Sequence, residues 1–155
     1  MAYGEETNSD DTAAIRWLAS HAAQGDVVLE AAGCSYYPFD QLPFNRVSAF
    51  TGVPTVLGWA NNHQRQWRAG QPRLIDEIDQ RQADVTAMFA DPGSTLFDQY
   101  GVTWLFIGEY ETGDWRSTCP TAGPYDIGRF PEDESSGWKL AFQSGETRIY
   151  QRVGQ

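Results

Sequence analysis

The segment Val102-Thr-Trp-Leu-Phe-Ile107 is a near-continuous apolar run that opens immediately after Gly101. A strand with one wet face alternates apolar and polar residues, so an unbroken run belongs to a strand covered on both faces, as in a parallel sheet. A chain that contains such a strand must supply apolar elements for two faces. The surrounding sequence does this by alternating helical and extended patterns.

Asn8 and Ser9 precede a first turn holding Asp10 and Asp11, which favour a helix dipole, and Ile15, Leu18, Ala19 and Ala22 keep helical spacing up to Gly25. Residues 27–31 form a short apolar strand, followed by turn residues from Gly33 to Pro38. Asn45 stands where it would cap a short helix ending near Gly52, and residues 54–57 read as a second strand, so 27–58 is one strand-helix-strand unit with a parallel pair. Residues 58–73 read as an irregular loop with room for a turn of helix. A longer helix is predicted over 74–89, stopped by Asp91-Pro-Gly93, and a short one from Ser94 or Thr95 to Tyr100. Gly, Pro and acid crowd residues 108–136, which read as a long loop with room for one helical turn. Residues 138–143 and 147–153 flank Ser144-Gly145 as a hairpin.

The predicted fold is therefore α/β, a small three-layer Rossmann-like sandwich. Strands 27–31, 54–57 and 102–107 are parallel neighbours in it, and the C-terminal hairpin lies antiparallel at the edge. At 155 residues, 41% apolar and with six Trp, seven Tyr and eight Phe, the chain is one domain with enough apolar mass to fold despite its charge. No apolar run approaches the roughly 20 residues of a spanning helix, and Met-Ala-Tyr-Gly-Glu-Glu lacks the basic and apolar regions of a signal peptide.

Charge is segregated along the sequence. The chain carries 11 basic and 21 acidic side chains, a net of −10, yet residues 41–75 contain Arg46, Arg65, Arg68 and Arg73 and no Asp or Glu. Arginines without nearby acids suit a bidentate hold on phosphate or carboxylate, and Trp59 and Trp67 offer stacking faces. The overall charge argues against nucleic acid and anionic lipid surfaces as partners.

The run Arg46-Val-Ser-Ala-Phe-Thr-Gly-Val-Pro-Thr-Val-Leu-Gly-Trp59, with His63 and Gln66-Trp-Arg68, closely resembles the most distinctive motif of Chlor_Arch_YYY, a family of polytopic bacterial and archaeal membrane proteins with a YYY motif. Glu6-Thr-Asn-Ser-Asp-Asp11, Val28-Leu-Glu-Ala31 with Gly33, Tyr100-Gly-Val102 and Ile149-Tyr150 agree with it as well. The resemblance implies a soluble domain following many transmembrane helices, on the extracytoplasmic side of a protein similar to lipid-dependent membrane glycosyltransferases. Its partners would be the transmembrane region of that parent and a lipid-linked sugar or glycan. The family typically has a glutamate beside the histidine, whereas His63 is followed here by Gln64, which counts against a His–Glu catalytic pairing.

In an open α/β sheet, ligands gather beyond the carboxyl ends of the strands. The loops after Ala31, Leu57 and Ile107 should meet there and bring Trp59, His63, Trp67 and Arg68 close to Glu30 and Gly33. The candidate ligand-binding set is Glu30, Gly33, Arg46, Trp59, His63, Arg65, Trp67 and Arg68. Each has a plainer reading. Glu30 in an apolar strand is either a structural partner of Arg46 or an anchor or base with a raised pKa. Trp59 and Trp67 are core aromatics or stacking platforms, and Arg65 and Arg68 are a solvated face or an anion grip.

No cofactor is expected, because Ala32-Gly33-Cys-Ser-Tyr36 lacks the spaced glycines of a dinucleotide fingerprint and no phosphate loop occurs. Cys34 and Cys119 have no metal spacing, and are either free buried thiols or a disulfide. Two rival functions stand beside ligand binding. One is a hydrolase using His63 with Glu30 or Cys34, and the other is a purely structural interaction module.

Overall fold

The computed structural model describes residues 8–34, 43–60, 64–119, 125–127, 130 and 137–154. The protein is a mixed α/β structure. Its four-stranded sheet runs β1 (Val28–Leu29), β2 (Trp104–Ile107), β4 (Thr147–Arg152), β3 (Trp138–Ser144), with β1 parallel to β2 and the other pairs antiparallel. The 102–107 run supplies the strand β2, every residue of which is buried. Its side chains divide by parity: Trp104 and Phe106 join Val28 and Ile149 on one face, and Leu105 and Ile107 join Leu29 and Tyr150 on the other.

Helix α1 (Ser9–His21) sends Ala14, Ile15 and Leu18 into the first cluster, together with Val47 of α2 (Arg46–Thr51). Two further helices pack into the second cluster. The first is α4 (Pro72–Ala90), through Ile78, Val85, Met88 and Phe89, and the other is α5 (Leu96–Tyr100), through Phe97. Two short helices complete the described elements, α3 (Arg65–Trp67) and α6 (Glu109–Thr112). The hairpin forms as predicted, with a bulge between Leu140 and Phe142. It pairs with β2 directly and so completes one mixed sheet.

Several boundaries differ from those read in the sequence, each for a local reason. The strand expected at 54–57 is reduced to one parallel bridge, Thr55 to Val28, with Val28 N–H donating to the Pro54 carbonyl at 2.9 Å. Proline has no N–H for a ladder, and Val56 and Leu57 turn into the core instead. Strand β1 stops at Leu29 rather than Ala31 because the Ala31 N–H leaves the sheet to donate to Glu111 Oε1 at 2.7 Å. Helix α1 ends at His21, before Gly25, while Asn8 caps it as expected by accepting from Asp11 N–H at 3.1 Å.

Asn45 does not cap α2 through its side chain. It takes a left-handed backbone, φ 59°, and Nδ2 donates to the Leu57 carbonyl at 3.0 Å. The first N–H groups of α2 bond instead to Glu30, as described below. Residues 109–112 form α6, within the 108–136 stretch that reads as a long loop with room for one helical turn.

Candidate functional site

The predicted site residues fall into two groups at different depths. Glu30, Gly33 and Arg46 lie in the interior, while Trp59, Arg65, Trp67 and Arg68 lie at or near the surface; His63 is outside the described residues. The chain segments that lead into the three expected loops are tied together, while residues 35–37 and 61–63 of those loops are outside the described residues. Asn45 Nδ2 spans the carbonyls of Leu57 (3.0 Å) and Ala31 (3.5 Å), and Ala31 N–H reaches Glu111 in the segment after β2.

At the inner level lies a sealed cluster of charge. Arg46 is fully buried, with Nε donating to Asp11 Oδ2 at 2.6 Å and Nη2 donating to Glu111 Oε2 at 3.0 Å. Its guanidinium carbon stands 4.5 Å from the Tyr110 ring centre and 5.0 Å from that of Phe106. Thr147 hydroxyl donates to Asp11 Oδ1 at 2.6 Å, and Gly108 N–H donates to Glu111 Oε2 at 2.8 Å. Burial opposes the charge of Arg46, but the Asp11 carboxylate, and after it Glu111, outweigh that cost and raise its pKa. No ligand anion is needed to neutralise this arginine, and none has access to it. The acid-free stretch is supplied with acids from Asp11 and Glu111, far away in sequence.

Glu30 is buried to 1% exposure, and its two oxygens accept from Val47 N–H and Ser48 N–H, each at 2.8 Å. A carboxylate from the end of β1 thus satisfies the orphan donors that begin α2. The direct Glu30–Arg46 pair anticipated from sequence is replaced by a longer-range attraction. Burial pushes Glu30 up to about 7, while the Ser48 and Val47 N–H groups and the Arg46 charge pull the other way. Gly33 is where a side chain would collide with Phe44, since a Cβ there would lie 2.5 Å from Phe44 Cγ. Gly33 therefore lets the chain pass against an aromatic ring.

Cys34 and Cys119 are joined in a disulfide, with Cα atoms 5.7 Å apart and 85 positions apart in sequence. A disulfide sulfur offers no thiolate, which removes Cys34 as a nucleophile. Glu30, sealed and engaged by two backbone N–H groups, is equally unsuited to be a base for an external substrate.

The outer level is a cleft of about 330 Å³ lined by Asn45, Ser48, Ala49, Gly58, Trp59 and Gln64. Trp59 is half-buried, and its Nε1–H donates to the Phe44 carbonyl at 2.6 Å, which fixes the indole as a wall. Gln64 Oε1 accepts from Arg68 Nη1 at 3.1 Å. One helical turn beyond Gln64, Trp67 is 82% exposed. Arg65 is ion-paired with Asp79 of α4, so it too finds an acid that the local sequence does not show.

A second cavity, of about 340 Å³, lies beyond the end of β2 between Ile107, Thr112, Phe130 and Arg148 and contains none of the predicted site residues. Sequence reasoning missed Asp11, Glu111, Asn45, Ser48 and Gln64. Asp11 carried a signal, since it shares the i, i+4, i+7 face of Ile15 and Leu18 and so had to be buried. Glu111, in a Gly-rich acidic stretch, carried none. Neither a family model nor a curated protein matches the chain.

Proposed function

We propose that this domain recognises a neutral glycan at the Trp59–Gln64 cleft, as the extracytoplasmic part of a polytopic membrane protein of the Chlor_Arch_YYY kind. The observation that carries this reading is the chemistry of the cleft. Its lining is amide, hydroxyl and indole, with Trp67 left 82% exposed beside it. Two of the four arginines that favoured an anion are already held by carboxylates. A sugar ring offers apolar patches to an indole and hydroxyls to amides, and burial of Trp67 against it would recover on the order of 2 kcal/mol.

The disulfide supports an oxidising, extracytoplasmic setting. No helix among the described residues is long and apolar enough to cross a membrane, so the attachment would lie elsewhere in a longer parent. The finer fold reading, a Rossmann-like three-layer sandwich, belongs to the same proposal. It is supported by the separate clusters that α1 and α2, and α4 and α5, build on the two sheet faces.

Titration with neutral oligosaccharides and with polyprenyl-phosphate headgroup analogues, followed by tryptophan fluorescence at low and high salt, tests the reading. Neutral sugars should perturb the fluorescence alike at both salt levels, and Trp67→Ala should weaken binding. If no sugar perturbs it and Trp67→Ala behaves as the parent does, the exposed indole is better explained as a contact with the membrane part of the parent protein.

A further inference from the structure

Arg68 differs from the other arginines in the kind of partner it has. Arg46 and Arg65 are paired with carboxylates, as are Arg81, Arg116 and Arg152 elsewhere in the chain. Arg68 has no carboxylate partner among the described residues, and its Nη1 donates to the amide oxygen of Gln64 at 3.1 Å. An amide accepts a hydrogen bond without neutralising the charge behind it. A guanidinium only donates, so the contact also assigns the Gln64 carboxamide: Oε1 faces Arg68, and Nε2 is the other end. That other end lies 3.4 Å from where a Cβ would stand on Gly58. Gly58 and Gln64 both line the cleft, so a single carboxamide separates the cleft wall from the Arg68 cation.

Arg68 is half-buried, where Arg46 is sealed. Its backbone N–H donates to the Gln64 carbonyl at 3.1 Å, so backbone and side chain together hold it one helical turn from the cleft-lining residue. A guanidinium already held in place loses less freedom when it takes a further partner. Its planar fork suits the paired oxygens of a phosphate or a carboxylate. Resting on the glycan reading above, we infer that the ring held in the cleft carries an anionic substituent, and that Arg68 binds this substituent beside Gln64. Two sources share that chemistry, a phosphate ester on a ring carbon and the carboxylate of a uronic acid.

The test uses the intact chain, tryptophan fluorescence and four probes: methyl glucoside, glucose 1-phosphate, methyl glucuronide and inorganic phosphate. At low salt at least one of the anionic sugars should bind about 10-fold more tightly than methyl glucoside, as one charge-assisted contact at a half-buried group provides. High salt should narrow that gap. The anionic sugar with the larger gap identifies the source. In Arg68→Gln the neutral and anionic sugars should bind alike. Equal affinities on the parent at low salt, or a gap that persists in Arg68→Gln, overturn the Arg68 role and leave the glycan reading intact. Inorganic phosphate binding as tightly as glucose 1-phosphate, with no binding of methyl glucoside, would mean that the ring contributes nothing, and overturns both. Absence of binding by every probe does the same.

Discussion

Replacing Glu30 by glutamine isolates the buried carboxylate that holds the start of α2. In the folded protein burial raises its pKa to about 7 from the ordinary glutamate value of 4.5, against the pull of the Ser48 and Val47 N–H groups and of Arg46. At about 1.4 kcal/mol per tenfold, that difference is worth on the order of 3 kcal/mol. The sign follows from proton counting. Between pH 4.5 and 7 the folded state holds a proton on Glu30 that the unfolded state has released, so stability is greatest at the acid end and falls as pH rises through the window.

Glutamine cannot ionise, but its amide group can accept from only one of the two N–H groups, which costs about 1 kcal/mol. Denaturant titrations of parent and Glu30→Gln from mildly acid to mildly alkaline pH should therefore give curves that cross. The variant is the weaker protein at pH 5 and the equal or stronger one at pH 8, and the difference between the two curves changes by about 3 kcal/mol. Glu109, which is also raised, is present in both proteins and drops out of the difference. A difference that stays constant across this range would refute the account and mean that Glu30 is ionised throughout.

Arg46→Met leaves Asp11 and Glu111 buried without their cation and should cost roughly 3–5 kcal/mol by chemical denaturation, whereas Arg68→Ala should change stability by less than about 0.5 kcal/mol. Reduction of the disulfide, or Cys34→Ala with Cys119→Ala, releases a crosslink spanning 85 positions and should lower the unfolding free energy by about 4–5 kcal/mol in denaturant titrations. Gly33→Ala places a methyl against the Phe44 ring and should cost about 1–3 kcal/mol. Because the Phe44 carbonyl holds Trp59, the same substitution should also shift tryptophan emission.

The short-range features of this protein are legible in its sequence. Val102 to Ile107 carries the buried strand, the spacing of Ile15 and Leu18 the buried face of α1, Gly52 and Gly101 the left-handed helix ends, and Ser144-Gly145 the hairpin. Each depends on periodicity or backbone preference within a few residues. The ends of β1 and the 54–57 segment were not legible, because a distant Glu111 draws off the Ala31 N–H and Pro54 cannot continue a ladder.

The site separates along the same line. Sequence alone concentrated Trp59, Gln64, Trp67 and Arg68 in one segment, and their proximity required little more than chain continuity. The roles of the arginines were decided only in three dimensions. Arg46 and Arg65 look unpartnered in a stretch without acids, yet Asp11, Glu111 and Asp79 reach them from other elements. The partner of a charged group is set by which elements pack together, and a linear pattern of charge does not contain that information. Glu30 makes the same point: its apolar surroundings announced an expensive carboxylate, but only the docking of α2 onto the end of β1 supplied the two N–H groups that keep it there.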